Sequence, residues 1–280
     1  MIIGIIGLGL IGGSLAIDLR SQGYSVLGVS RRMQTCETAL RLGIVNDAST
    51  ELRLLAPANL IFICTPISDI QATVIQLLPH LAPTTVLTDV GSVKTSIVKA
   101  LDPLWPNFVG GHPMAGTAES GIEAAQADLF VNRAYVLTPT AKTPPTALET
   151  VAHVVRLLRA KVFFCRPEEH DRAVAWISHL PVVVSAGLIA ACQHEADPTI
   201  LELAQQLASS GFRDTSRVGG GNPQLGVMMA RFNREDVLRS LAAYRQHLDQ
   251  LTTCIEQENW ATLEDHLRQT QQARPKFIHE

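Results

Sequence analysis

Two stretches of the chain place reactive side chains directly after strand-like runs. His112 lies in "VGGHPMAGT" (Val109 to Thr117) and Ser92 in "TDVGSVK" (Thr88 to Lys94). In an open α/β sheet such residues fall at the carboxyl edge, where ligands bind. His112 stands between Gly111 and Pro113, which offer no bulky side chain to cover it, so an accessible ring is expected. A neutral imidazole can accept a hydroxyl proton while the same carbon loses hydride. Ser92 could orient that imidazole or bond the same hydroxyl.

Further along, His179 in "WISHLP" interrupts an apolar helix-like run, and Arg217 follows Asp214 in "GFRDTSRVGGGNP", beside a Gly-rich break. The Arg217 fork can hold a substrate carboxylate through two hydrogen bonds, whereas a plain Asp214 to Arg217 ion pair is the structural alternative. His179 reads equally well as a site residue and as a satisfied core histidine.

The hydride acceptor is indicated near the start of the chain. Gly7, Gly9 and Gly12 form G-x-G-x-x-G directly after the run "IIGIIG". The first glycine permits a tight turn, the second lets backbone approach a pyrophosphate, and the third lets helix pack on strand. Leu10 and Ile11 belong to the helix start whose amide groups face the anion, and Thr65 with Pro66, closing "LIFICTP", complete the expected cofactor set. The end of the second strand, where an NAD site carries Asp or Glu, holds Ser30-Arg31-Arg32 instead. Two guanidiniums and a hydroxyl suit a 2′-phosphate, and no carboxylate is expected there to repel it, so NADP is the expected cofactor. A solvated arginine pair is the plainer reading of the same residues.

The elements that must position these residues follow from the pattern of apolar runs. "IIGIIG", "SVLGVS", "LIFICTP", "TVLTDV", "FVGGHP", "AYVLTP" and "KVFFC" alternate with helical stretches as far as Cys165, which predicts an α/β domain with a doubly wound parallel sheet. "TPTAKTPPTA" (Thr138 to Ala147) is a Pro-rich connector inside it. Strand signals stop near Arg166-Pro167, and the remainder reads as helix, giving domains of 1–167 and 168–280. Val237, Leu241, Tyr244, Leu248, Leu251 and Ile255 repeat at alternating spacings of four and three, an apolar seam suited to packing on other helices.

Composition limits the partners. The 280 residues are 46% hydrophobic and 18% charged, and 23 Lys plus Arg against 26 Asp plus Glu leave a net charge of −3. There is no basic field for nucleic acid or an anionic membrane, so a small molecule is the expected partner. The five cysteines form no C-x-x-C pair, which fits reduced thiols in a cytoplasmic protein and no metal site. Val182 to Cys192 falls short of the roughly 20 residues of a membrane span and is expected to be a buried helix.

With "GLGLIGGS", "DVGSVK", "GGHPMAGT", "SHLP" and "DTSRV" in this order and spacing, nearly the whole chain resembles the prephenate/arogenate dehydrogenase family of tyrosine biosynthesis. Its short length and SRR look most like the NADP-dependent arogenate dehydrogenases of cyanobacterial type. The resemblance implies a Rossmann domain joined to a helical dimerisation domain and a homodimer. It also implies His112 as acceptor for the ring hydroxyl, Ser92 assisting it, His179 lining the site and Arg217 on the ring carboxylate. Family members often place an acid directly after "HPMAGT"; here Ala118 stands there and Glu119 one step later.

L-arogenate is expected over prephenate because Glu119, Asp128 and Asp214 offer acids for a substrate ammonium, while "HPMAGTAESGIEAAQADLF" carries no extra cation for a pyruvyl group. Three alternatives remain open: a prephenate dehydrogenase, a different two-domain NADP oxidoreductase of β-hydroxyacid dehydrogenase or imine reductase type, and a non-catalytic NADP sensor.

Overall fold

In a computed structural model, residues 1–117 and 119–278 are described. The first half alternates strand and helix: β1 (Ile2–Ile6), α1 (Leu10–Ser21), β2 (Ser25–Val29), α2 (Met33–Arg41), β3 (Asp47–Ser49), β4 (Leu60–Ile63), α3 (Ile67–Leu77), β5 (Val86–Asp89), α4 (Thr95–Leu101), β6 (Phe108–Pro113), β7 (Ala134–Thr138), α5 (Pro145–Leu157) and β8 (Lys161–Phe164). Helices follow: α6 (Pro167–Val174), a π-helical turn (Ala175–His179), α7 (Leu180–Gln193), α8 (Pro198–Leu207), α9 (Ser210–Ser216), α10 (Pro223–Phe232), α11 (Arg234–Glu256) and α12 (Trp260–Ala273).

The eight strands form one sheet in the order β3-β2-β1-β4-β5-β6-β7-β8. All pairings are parallel except β6 with β7, where Gly111 faces Leu137 and His112 faces Val136 in antiparallel register. The expected doubly wound parallel sheet is present, with this one antiparallel pair in it. A parallel return needs a crossover of a dozen or more residues, usually a helix, and among the described residues between β6 and β7 the regular structure is a short 3₁₀ turn at Ile122–Ala124, so the chain comes back antiparallel. The short edge strand β3 lies in a stretch with no strand-like apolar run.

The central strands are apolar on both faces because helices cover both. Ile3, Ile5, Leu60 and Phe62 pack with Leu15, Leu19, Val151 and Val155 on one side, while Ile61, Ile63 and Leu87 pack with Ile70, Val74, Ile97 and Val98 on the other. This two-sided core holds the carboxyl ends of β1, β4, β5 and β6 in fixed register.

The chain divides into two compact units, Met1–Asn233 and Arg234–Glu280. The first contains the sheet and the helices through α10. The second contains α11 and α12, which pack on one another. Strand content itself ends with β8, and every regular element from Pro167 onward is helical.

Pro167 to Gln193 is one unbroken helical segment of 27 residues, long and apolar enough by those measures to cross a bilayer, with a mean hydropathy of 1.8 in its most apolar stretch. Only 28% of that stretch is buried. The expectation of a buried helix over Val182 to Cys192 is thereby corrected: among the described residues of its own unit, no helix covers most of its apolar surface. Trp176, Ile177, Ile200, Leu203, Leu207, Leu225 and Val227 of the same unit are likewise exposed. All five cysteines are free thiols.

Candidate active site

The glycine fingerprint folds as its spacing requires. Gly7 has φ +97°, and a methyl group there would meet the Cys64 carbonyl oxygen at 2.6 Å. A methyl at Gly12 would run into the Gly7 carbonyl, whereas nothing lies within 4 Å of the position at Gly9. Turn, open approach and close packing are thus assigned to the three glycines in turn. Gly9 is the N-cap of α1, whose first turn carries no acid, so its free N–H groups favour an anion.

A cleft of about 800 Å³ opens along the carboxyl ends of β1, β2 and β4, lined among others by Gly7, Gly9, Ser30, Arg31, Arg32, Thr65 and Pro66. Leu10, Ile11 and Gly12 form the first turn of α1 and do not line it. Arg31 and Arg32 are exposed, and Arg31 lies 3.3 Å from the Asp69 carboxylate. The expectation that no carboxylate stands here is corrected. Helix α3 starts straight after Pro66, and its first turn carries Asp69 across the cleft. The pair is solvent-exposed, and such pairs hold their partners weakly. Orphaned buried polar atoms also suit a ligand: Thr65 Oγ1 has no partner among the described residues. These features fit a dinucleotide.

His112 is the last residue but one of β6, next to two glycines that let the strand sink against its neighbours; a methyl at Gly111 would lie 2.7 Å from the Asp89 carbonyl oxygen. Its side chain is not left uncovered, as the flanking Gly and Pro led one to expect. His112 is buried because the ring of His170, on α6, packs on it at 5.0 Å between centroids and 72° between planes. His112 Nδ1 lies 2.8 Å from His170 Nε2, and His170 Nδ1 lies 2.8 Å from Asp171 Oδ1.

Asp171 in turn accepts from the backbone N–H of Lys94 at 2.6 Å and of Thr95 at 2.8 Å, at the start of α4. Burial pushes its carboxyl upward, but the bonds from His170 and those two amides outweigh it and hold the group below the usual carboxylate range. Lys94 is fully buried and paired with Asp89, which also accepts from the N–H groups of Gly91 and Gly111. Burial first, then repulsion between a protonated ring and the neighbouring His170, Lys94 and His179, pushes His112 well below the ordinary imidazole value. A neutral proton acceptor results.

His179, in the π-helical turn, is buried with Nδ1 3.1 Å from Asn233 Nδ2. That amide nitrogen also donates to the Asp171 main-chain carbonyl at 2.8 Å, while His179 Nε2 is buried without a partner among the described residues. Burial lowers the pKa of His179 to about 4, the effect of Asp171 opposing and that of His170 assisting. Ser92, between β5 and α4, likewise has a buried Oγ with no partner among the described residues.

Arg217 is exposed at the end of α9 and makes no ion pair among the described residues. The alternative Asp214 to Arg217 pair is absent, since Asp214 is bound by Arg213 at 3.1 Å. The three acids proposed for an ammonium are all exposed: Asp128 is paired with Arg159, Asp214 with Arg213, and Glu119 lies on the surface. No buried acceptor comes from them, because solvated loops and short helices carry all three. Ala118 lies outside the described residues.

The fold therefore gathers His112, His170, Asp171, Lys94, Asp89, His179 and Asn233 into one hydrogen-bonded set. Sequence reasoning missed His170, Asp171, Asp89, Lys94 and Asn233. A signal for two of them exists: the buried residues of α6, Pro167, His170, Asp171 and Val174, share one helical face at spacings of three, one and three. No group of three or more metal-ligating side chains occurs among the described residues.

Comparison with known proteins points the same way. A model of the prephenate dehydrogenase nucleotide-binding domain matches residues 15–164, and one of the prephenate dehydrogenase dimerization domain matches residues 166–269. Prephenate dehydrogenase from Bacillus subtilis is 33% identical over 261 residues, covering 90% of this chain and 70% of the relative. The crystal structure of Synechocystis arogenate dehydrogenase superposes with a TM-score of 0.89 at 55% identity, covering 99% of this chain and 100% of that one. The A. aeolicus prephenate dehydrogenase, solved with hydroxyphenyl propionate and NAD+, superposes at 0.93 with 28% identity, covering 99% and 98%.

Proposed function

The chain belongs to the prephenate dehydrogenase family, and from that premise we propose that it catalyses the NADP-dependent oxidative decarboxylation of L-arogenate to L-tyrosine. The observation that carries the substrate is the 55% identity with Synechocystis arogenate dehydrogenase along essentially the whole of both chains.

NADP is supported by the cleft wall. The A. aeolicus structure contains NAD+, but here Ser30 follows β2 at the position where an acid would bond a ribose 2′-hydroxyl, and Arg31 and Arg32 stand beside it for a 2′-phosphate. Asp69 faces Arg31 across the cleft in an exposed, weak pair. Gly7 and Gly9, the N-cap of α1, would hold the pyrophosphate, with Thr65 and Pro66 further along the cleft. When bound, the nicotinamide supplies the hydride acceptor.

His112 Nδ1 is occupied by His170, so Nε2 is the nitrogen left for the substrate. It accepts the proton of the ring hydroxyl as hydride leaves the carbinol carbon. The resulting dienone takes up the electron pair released when the ring carboxylate departs as carbon dioxide, and the phenolate recovers the proton from His112. Ser92 Oγ and His179 Nε2, both without partners among the described residues, remain to bond the hydroxyl and its surroundings. Arg217 holds the ring carboxylate. Placement of the reactants in a near-attack geometry is worth about 7–11 kcal/mol of the barrier.

The helices from α7 through α10 expose apolar side chains that a second copy of the chain would cover, which supports a homodimer. Free thiols throughout support a cytoplasmic setting.

The test is to measure kcat/KM for L-arogenate and prephenate with NADP. Arogenate is expected to be favoured by at least tenfold. Equal or better turnover of prephenate would make this a prephenate dehydrogenase.

A further inference from the structure

His112 and His179 offer one Nε2 each, and the chain gives them opposite hydrogen-bonding characters through a single residue. We infer that Asp171 is the positioning residue that sets both: its carboxylate, through His170, keeps His112 Nε2 bare, and its main-chain carbonyl, through Asn233, keeps a proton on His179 Nε2. The inference rests on the dehydrogenase reading only for its consequence in turnover.

The first arm follows from donor and acceptor roles. Asp171 Oδ1 and Oδ2 already accept from the N–H groups of Lys94 and Thr95, which cannot reverse direction. Facing a carboxylate locked as an acceptor, His170 Nδ1 must carry a hydrogen. With His170 neutral, its Nε2 is then an acceptor, and His112 Nδ1, 2.8 Å away, must donate. A neutral His112 with its hydrogen on Nδ1 has a free lone pair on Nε2. A proton added to His170 would reverse this last bond, put the His112 hydrogen on Nε2 and remove the acceptor.

The second arm is independent of the first. The atom of Asn233 that lies 2.8 Å from the Asp171 carbonyl must be the amide nitrogen, since an oxygen there would face an oxygen. The same nitrogen meets His179 Nδ1, which therefore accepts. A neutral His179 then carries its hydrogen on Nε2, the atom that is buried without a partner among the described residues. His112 presents an acceptor and His179 a donor. One can take the hydroxyl proton while the other bonds an oxygen of the substrate or of the cofactor's carboxamide.

The arrangement is read directly from ¹⁵N-labelled, ligand-free protein at pH 8, by correlating ring protons with both ring nitrogens. Spectra of His112→Gln and His179→Gln identify the two sets of signals. The expected result is a protonated Nδ1 with bare Nε2 in His112 and the reverse in His179; a hydrogen on His112 Nε2 would overturn the inference whether or not the protein oxidises arogenate.

In turnover, His170→Leu should lower kcat by about 10²–10⁴, the range seen when the residue orienting a catalytic imidazole is altered, with KM within a fewfold. His170→Gln, whose amide oxygen can replace the acceptor facing His112, should recover at least tenfold of that loss. Equal kcat in the two variants, or native kcat in His170→Leu, would overturn the inference. If either variant misfolds, the ¹⁵N result on the native chain decides alone.

Discussion

His112 Nδ1 and His170 Nε2 lie 2.8 Å apart in a buried edge-to-face pair, although 58 positions separate them in the chain. That contact leaves one imidazole nitrogen of His112 for chemistry and ties its position to helix α6. Most of what can be measured about the site follows from it.

Removal of the imidazole in His112→Ala should lower kcat by about 10² or more, the scale for loss of a positioned general base, with NADP affinity nearly unchanged. Turnover within a fewfold of native would remove His112 from the mechanism.

In the proposed mechanism His112 acts in its neutral form, and burial with the neighbouring His170, Lys94 and His179 holds its pKa well below 6.5, while Asp171 and the Lys94-paired Asp89 are the acids of the same cluster. Protonation therefore costs activity only on the acid side. A pH profile of kcat/KM should be level from neutrality upward and fall below pH 6.5. An acid limb centred at or above 6.5 contradicts this assignment.

Replacing both Arg31 and Arg32 by Ala should lower kcat/KM for NADP by at least tenfold and leave NAD nearly untouched, because NAD has no 2′-phosphate to contact. Native enzyme that uses the two cofactors equally would refute the NADP reading.

Gly12→Ala forces a methyl into the Gly7 carbonyl at the start of α1. A calorimetric melt should show a loss of about 1–3 kcal/mol of stability, and cofactor titration a weakened Kd. Unchanged melting and binding together would show that the turn relaxes at no cost.

His179 has a folded-state pKa of about 4 against an ordinary value of 6.5. The unfolded chain therefore binds the proton first, so this contribution to stability is whole above pH 6.5 and is lost as pH falls from 6.5 toward 4. Tm should drop across that window, and His179→Gln should flatten the drop. An equal slope in the variant would show that other groups set it.

Much of the site was legible in the sequence where the signal is local. The glycine spacing after an apolar strand, the strand-end position of His112 and the Ser30-Arg31-Arg32 step each depend on residues within a few positions of one another, so chain connectivity alone places them. The carboxylate Asp69 escaped because it reaches the same cleft from the next helix, 38 positions beyond Arg31.

The sequence by itself determined the alternation of strand and helix, the phosphate-binding turn and which histidine stands at the edge of the sheet. Only the tertiary structure decided the condition of that histidine. Its burial, its lowered pKa and the nitrogen it presents depend on His170 and Asp171, while Asp171 is held by amides 77 and 76 positions away and bears on His179 through Asn233, 54 positions beyond that histidine. An imidazole's proton is placed by whatever donor or acceptor stands opposite its other nitrogen, and that partner is chosen by the packing of α6 on the sheet, not by neighbours in the chain.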